Sequence, residues 1–202
     1  MTLAPYDSAV LTADDPLPSR PRRVAVAGVS GVGKTTLAAT IATALGSRHV
    51  EIDGLFHGPD WVPRPEFVAD VEQFTAEPTW VTEWQYAGAR EVLAGRADLM
   101  VWLDLPRRTV MRRVIGRTLR RRGRKELWNG NVEPPLRTFF TDRDHIVRWA
   151  WAQYHRSRAK VLALHQERPE LPIVRLARPV EVERWLAALT RPGGAPPARA
   201  GR

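Results

Sequence analysis

The 202-residue chain has no cysteine, which removes disulfides, thiolate metal sites and cysteine nucleophiles from consideration. No apolar run approaches the about 18 residues needed to cross a bilayer. The opening stretch MTLAPYDSAVLTADDPLPSRPRR lacks the apolar core of a signal peptide. These absences set the expectation of a cytoplasmic protein with no membrane partner. Acid is missing from one place in particular. Between Arg107 and Lys125 stand ten basic residues, Arg107, Arg108, Arg112, Arg113, Arg117, Arg120, Arg121, Arg122, Arg124 and Lys125, with no Asp or Glu among them. That segment alone exceeds the formal net charge of +9. A local cluster of this kind implies a polyanion partner, either nucleotide phosphates or a nucleic-acid backbone.

The length suits one α/β domain. Residues 1–21 are polar and proline-bearing and read as a flexible N-terminal segment. Residues 191–202, RPGGAPPARAGR, read as a flexible C-terminal tail. Between them, over 22–190, apolar strands and amphipathic helices alternate. Strands are expected at 23–28, 49–53, 79–84, 98–105 and 172–176. Helices are expected at 35–45, 66–76, 86–93, from Pro106, at about 136–166 and from Pro179. Five strands separated by helices call for a doubly wound parallel sheet, with ligands at the carboxyl ends of its strands.

The most specific signal is GVSGVGKTTLA at 28–38, which contains G-x-x-x-x-G-K-T between a strand and a helix. Gly28, Gly31 and Gly33 let the backbone curl so that amides of the loop, including those of Ser30 and Val32, face phosphate oxygens. Lys34 is placed to reach the β and γ phosphates, the Thr35 hydroxyl to ligate Mg²⁺, and Thr36 to continue the binding turn. ATP or another nucleoside triphosphate is the expected ligand, with Mg²⁺ as cofactor.

Candidate carboxylates follow. Glu51 and Asp53 alternate with Ile52 at the end of the second expected strand, which would turn both to one side. One would hold a Mg²⁺-bound water while the other takes a proton from an attacking hydroxyl. Glu83 closes the third strand, where a carboxylate can hold Mg²⁺ through water. Asp104 follows MVWL and is either a cap for the next helix or a phosphate-site group. In the basic helix, Arg113, Arg117, Arg120, Arg121 and Arg124 fall near one stripe, opposite Val110, Met111, Val114, Ile115 and Leu119. Of the eight tryptophans, Trp102 and Trp185 read as core, whereas Trp61, Trp84 and Trp128 stand near the expected site, where core packing and stacking on an acceptor compete.

GVSGVGKTTLA, EIDGLFHGPDW, TWVTEWQY and VWLDLPRRTVMRRVIGRTLRR together resemble the adenylate-kinase-like P-loop kinases, over about residues 22–190. More narrowly they resemble a bacterial group often labelled "DNA topology modulation protein" or "AAA family ATPase". The resemblance implies a P-loop NTPase sheet of order 2-3-1-4-5 and a mobile helical lid at about 117–135. It also implies that Asp53 contacts the acceptor and that Arg113 and Arg117, in RVIGR, contact phosphate. Arg156, with Arg158 in YHRSR, would return to the site from a later helix, and Arg178 would lie in the loop against the adenine. The chain departs from its relatives after strand three, where EWQY stands in place of Asp-Gly-Asn-Tyr. GVSG followed by DGLFHGP is also similar to gluconate-type sugar-acid kinases, with His57 one position off. The expectation is an ATP- and Mg²⁺-dependent phosphotransferase that moves the γ-phosphate to a nucleotide or small-molecule acceptor. The alternative is a P-loop ATPase that grips nucleic acid through the arginine-rich helix.

Overall fold

The computed structural model describes residues 10–120 and 146–190. Its elements in chain order are β1 (Val10–Leu11), β2 (Arg23–Gly28), α1 (Lys34–Leu45), β3 (His49–Val50), α2 (Ile52–Phe56), a short 3₁₀ turn (Pro59–Trp61) and α3 (Phe67–Thr75). Then come β4 (Trp80–Glu83), α4 (Ala87–Arg96), β5 (Leu99–Leu103), α5 (Arg107–Arg120), α6 (Ile146–Glu167), β6 (Ile173–Leu176) and α7 (Pro179–Leu189). Among the described residues the strands of the sheet pair in parallel throughout, in the order β1-β6-β5-β2-β4-β3. The five strands expected from the sequence keep the order 2-3-1-4-5, and a sixth joins the edge beyond β6.

That sixth strand corrects the reading of residues 1–21 as uniformly flexible. Val10 and Leu11 pair with Ile173 and Val174. Thr12 then donates through its backbone N–H and its hydroxyl to Asp15 Oδ2, each at 2.7 Å, closing a turn. Arg184 of α7 holds Asp14 at 2.8 Å. A two-residue strand is too short to carry a periodicity, so only tertiary packing reveals it.

The central strand shows why the fold is doubly wound. Val24 and Val26 point to a core shared with Leu37 and Ile41 of α1, Val110 and Val114 of α5 and Trp185 of α7. Ala25 and Ala27 point to the other face, among Phe74 of α3, Leu93 of α4, Val161 of α6 and the large rings of Trp80 and Trp102. Small alanines in the middle strand make room for indoles from its neighbours. Both faces being covered explains a strand such as β5, LMVWL, that is apolar throughout. Trp102 and Trp185 are core as expected, and so is Trp84, whereas Ile115, expected on the apolar side of α5, is exposed.

Candidate functional site

The loop after β2 leaves the sheet at the carboxyl end of its middle strand. Gly28, Gly31 and Gly33 have φ of 150°, 77° and 109°, a backbone that residues with a Cβ rarely adopt. Space forbids side chains as well. A methyl group on Gly31 would collide with Val114 Cγ2, and one on Gly28 would stand 2.9 Å from the Leu103 carbonyl oxygen. The loop is therefore clamped between β5 and α5. It feeds α1, whose first residue is Lys34, buried, with Nζ 3.3 Å from the Val29 carbonyl oxygen. Thr36 is exposed in the first turn of α1, and Ser30 and Val32 lie within the loop as the motif requires.

Glu83, at the end of β4, is almost fully buried beside this loop. His49 Nε2 lies 3.2 Å from Oε1 and the Ile52 N–H donates to Oε2 at 3.2 Å. The Thr35 hydroxyl donates to the same carboxylate. Burial would raise the Glu83 pKa, but these hydrogen bonds and the His49 charge overcome it and hold the carboxyl below its ordinary range. Two of the three residues expected to serve Mg²⁺, Thr35 and Glu83, are thus neighbours.

The expected pair Glu51 and Asp53 does not share a strand face. The strand stops at Val50, Glu51 stands at the N-cap of α2, and Ile52 is buried in that helix's first residue. An apolar residue flanked by two acids fits a strand end and a helix start equally well, and here the helix forms. Among the described residues the Glu51 side chain makes no hydrogen bond or ion pair, so the metal role expected of it gains no geometric support.

Asp53 is instead gripped from the turn after β4. Gln85 Nε2 and the Tyr86 hydroxyl both donate to its Oδ1, the latter at 2.6 Å. Among the described residues no hydrogen bond goes to Oδ2. The Tyr86 hydroxyl also lies 2.9 Å from His57 Nε2, and because its proton goes to Asp53, His57 donates to it. Burial raises the Asp53 pKa, with Glu83 adding to it. The Tyr86 hydrogen bond and the charges of Lys34 and His57 offset only part of the rise. Burial and the Asp53 charge push the Tyr86 phenol far upward, so it stays a donor.

Neither Gln85 nor Tyr86 was expected to act here. Tyr86 has φ 61°, a strained value for a non-glycine residue, and strain of this kind gathers at sites that use it. Its ring stacks on Phe56 at 3.7 Å and meets Phe67 and His57 edge-on. Trp61, also at positive φ, closes on His57 at 5.0 Å. Asp53 therefore sits under an aromatic wall. His57, one position off in the sugar-acid kinase resemblance, belongs to it.

Arg113, expected to contact phosphate, reaches the phosphate loop itself. Its Nη1 donates to the Val32 carbonyl at 2.6 Å and lies beside Gly33. Arg117 belongs to the last turn of α5, but its side chain lies outside the described residues, as do most of the lid expected at 117–135, Arg121, Arg122, Arg124 and Trp128. Arg156 is exposed on α6. Arg178 is the N-cap residue of α7, where its N–H and that of Ala177 donate to Glu181 Oε2. This capping places Arg178 at a helix start, and among the described residues no contact joins it to the phosphate loop. Among the described residues Asp104 makes no capping hydrogen bond to α5. It is buried between Arg175 of β6, at 2.6 Å, and Arg158 of α6, at 3.2 Å. Burial raises its pKa and the two guanidiniums pull it back in part.

No family model and no curated protein matches the chain. Among solved structures, a gluconokinase from Sinorhizobium meliloti is 23% identical over 71% of this chain and 98% of its own, with a TM-score of 0.39. A sugar kinase from Janibacter sp. is 21% identical over 84% and 92%, with a TM-score of 0.46. A shikimate kinase from Bacteroides thetaiotaomicron is 16% identical over 84% and 96%, with a TM-score of 0.46. These are likenesses of fold and assign no substrate.

Proposed function

We propose that the chain is an ATP- and Mg²⁺-dependent phosphotransferase that moves the γ-phosphoryl group to a hydroxyl of a small molecule held over Asp53. The observation that carries this reading is the placement of Asp53, a desolvated carboxylate within electrostatic reach of both Lys34 and Glu83. Lys34 and the loop amides bind the triphosphate. Thr35 and Glu83 supply hard oxygen donors side by side, the chemistry that Mg²⁺ takes when phosphates complete its shell. The pair fits the ion, and Thr35 and Glu83 are the residues that would hold it. When bound, the ion neutralises charge on the β and γ oxygens.

Transfer then needs a positioned acceptor and a base. The acceptor oxygen attacks the γ phosphorus, the bond from that phosphorus to the β–γ bridging oxygen breaks, and ADP leaves. The hydroxyl proton passes to Asp53 Oδ2, since Oδ1 is occupied by Gln85 and Tyr86. A raised pKa makes the carboxylate a stronger base than an exposed aspartate. Arg113 brings positive charge to the loop where the transferring group develops negative charge. The wall of Phe56, Phe67, Tyr86 and His57 keeps water from competing with the acceptor.

The test is incubation with γ-labelled ATP and a panel of nucleoside monophosphates and hydroxylated metabolites, with and without DNA. Label in a small acceptor is the expected result. Turnover that depends on DNA, with no label leaving as anything but inorganic phosphate, overturns the proposal in favour of a nucleic-acid-dependent ATPase.

A further inference from the structure

Asp53 in α2 and His57 at its C-cap stand one helical turn apart, and the Tyr86 hydroxyl bridges them. The His57 backbone N–H donates to the Asp53 carbonyl oxygen at 3.0 Å, which closes that turn and sets the two side chains on one face. From across the site, the Tyr86 hydroxyl lies 2.6 Å from Asp53 Oδ1 and 2.9 Å from His57 Nε2. Each member is also held from outside this chain. The Gly58 N–H donates to the Val62 carbonyl at 2.7 Å and the Arg64 N–H to the Phe56 carbonyl at 2.9 Å, which pins the backbone on either side of His57. The His57 ring meets Phe56 edge-on at 4.9 Å and Trp61 at 5.0 Å. Tyr86 is kept at φ 61° and ψ 128° while its carbonyl oxygen accepts from the Ala89 and Arg90 N–H groups of α4, both at 3.2 Å. A residue with a Cβ adopts such a backbone only where its surroundings over-determine it. The stack on Phe56 uses only the ring face, so packing does not account for the hydroxyl at its tip.

The phenol has one proton and two neighbours. With Asp53 ionised, as a base must be, an O···O distance of 2.6 Å requires that proton to lie between the two oxygens. His57 Nε2 must then carry a proton of its own and donate it to the phenol oxygen. Were Nε2 a bare lone pair, it would draw the tyrosine proton away and set two oxygens against each other. The wiring therefore runs one way, from His57 to Tyr86 to Asp53, and each donor polarises the next. It is no exit for the reaction's proton, because burial and the Asp53 charge keep the phenol protonated.

We infer that His57 and Tyr86 are positioning residues for the transfer step: His57 turns the Tyr86 proton toward Asp53, and Tyr86 fixes the carboxylate so that Oδ2 is left for the acceptor hydroxyl. The inference rests on Asp53 as the base in the transfer reading above and adds the groups that aim it. His57 acts at one remove, through a hydroxyl that touches the base. Gln85 donates to the same Oδ1, so a change at Tyr86 or His57 leaves the base misaimed rather than lost.

The test measures label transfer from γ-labelled ATP to the nucleoside monophosphate or hydroxylated metabolite that the parent labels best. Tyr86→Phe, which keeps the stack on Phe56, should lower kcat by about 10–100-fold, the scale of a hydrogen bond to a charged group. The KM for ATP should stay nearly unchanged. The pH at which kcat/KM reaches half its plateau should rise, because the lost hydrogen bond favoured the ionised carboxylate. Lys34 of α1 and Glu83 of β4, whose charges also bear on Asp53, are the same in every variant. His57→Phe, which keeps a ring against Phe56 and Trp61, should lower kcat by about tenfold. His57→Gln, which keeps an N–H for Tyr86, should recover most of that loss. Placed on Tyr86→Phe, His57→Phe should cost little more, since the hydroxyl through which it acts is already gone. Losses that multiply in the double variant, or glutamine no better than phenylalanine at 57, overturn the inference. So does a Tyr86→Phe enzyme with the kcat and pH midpoint of the parent. If Asp53→Asn abolishes transfer in that case, the base reading stands alone. Transfer unaffected by Asp53→Asn removes both.

Discussion

Arg113 Nη1 donates to the Val32 carbonyl oxygen at 2.6 Å, across 81 residues of sequence. The peptide unit is planar and trans, so holding that carbonyl toward α5 turns the Gly33 N–H the opposite way, into the phosphate cradle. Arg113 thus shapes the loop before it meets any ligand. Arg113→Gln should lower kcat by about 10²–10³-fold, the scale of removing one positioned donor from a developing charge. Arg113→Lys should restore little, since a single ammonium cannot both hold Val32 and face phosphate. Steady-state kinetics with the labelled acceptor checks this, and a kcat within threefold of the parent would remove Arg113 from catalysis.

Asp53 predicts a pH dependence in both stability and rate. Burial is the main cause of its raised pKa, so the folded chain holds this proton more tightly than the unfolded one does. The stabilisation this provides is complete below the ordinary aspartate pKa of about 3.9 and is lost as pH rises through the folded value. Asp53→Asn keeps an Oδ1 to accept from Gln85 and Tyr86 and removes the buried charge. Its melting temperature relative to the parent should therefore be higher at pH 8 than at pH 4. Transfer should fall by about 10²–10⁴-fold, as for loss of a general base. In the parent, kcat/KM should rise with pH through a midpoint above the usual carboxylate range. An equal melting difference at both pH values would contradict a raised Asp53 pKa.

What the sequence showed and what it hid divide along physical lines. The phosphate loop and the strands were legible because local rules produce them: glycines at fixed offsets, and apolar runs in strands covered on both faces. Glu83 was legible because a strand end beside that loop has few uses for an acid. The span Glu51–Asp53 misled because three residues cannot separate a period of 2 from a period of 3.6. The grip of Gln85 and Tyr86 on Asp53 was hidden, since it depends on a positive φ at a tyrosine, which no residue type signals. The Asp104 cluster was hidden for another reason: Arg175 is 71 residues away in sequence, and only the β5–β6 pairing brings it near.

Gly31 separates backbone freedom from space. With φ 77° and Val114 Cγ2 where its Cβ would stand, Gly31→Ala suffers both strain and collision. Overpacking costs about 1–3 kcal/mol, and a left-handed backbone at a non-glycine residue adds roughly 1–2 kcal/mol. Adding Val114→Ala should return the collision part and leave the backbone part, a coupling that a double-mutant cycle by urea denaturation reads directly. Strict additivity of the two substitutions would show that α5 gives way and does not clamp the loop.

Glu83 should show its double role as a separation of metal dependence from folding. Its carboxylate accepts from Thr35, from His49 and from the Ile52 backbone, and it is held ionised by them. A lowered pKa contributes stability that is present above the ordinary glutamate value and is lost as pH falls through the folded one. Glu83→Gln should therefore lose stability at pH 7 and become equal to the parent in strong acid. It should also raise the Mg²⁺ concentration for half-maximal activity by about tenfold or more, as supporting groups around a metal do. An unchanged Mg²⁺ dependence would leave Glu83 a purely structural acid.

Asp104 anchors α6 to the sheet. Its carboxylate side chain is 1% exposed while those of Arg158 and Arg175 are 20% and 26% exposed. The Arg175 guanidinium also lies 5.5 Å from the centre of the Trp102 ring. Just above, Tyr154 of α6 donates its hydroxyl to the Leu105 carbonyl at 3.0 Å. Removing one partner of a fully buried ion pair costs about 3–5 kcal/mol. Here the guanidiniums keep an edge in solvent, so Asp104→Asn should cost nearer about 2–3 kcal/mol in urea denaturation. The orphaned charges cause most of that loss, because asparagine is of nearly the same size. Arg175→Met on top of Asp104→Asn should then restore part of the stability, since methionine still covers Trp102 and one uncompensated cation is gone. If instead the double variant falls further by the full cost of Arg175→Met alone, the two residues act independently and α6 is held by its apolar face rather than by this ionic cluster.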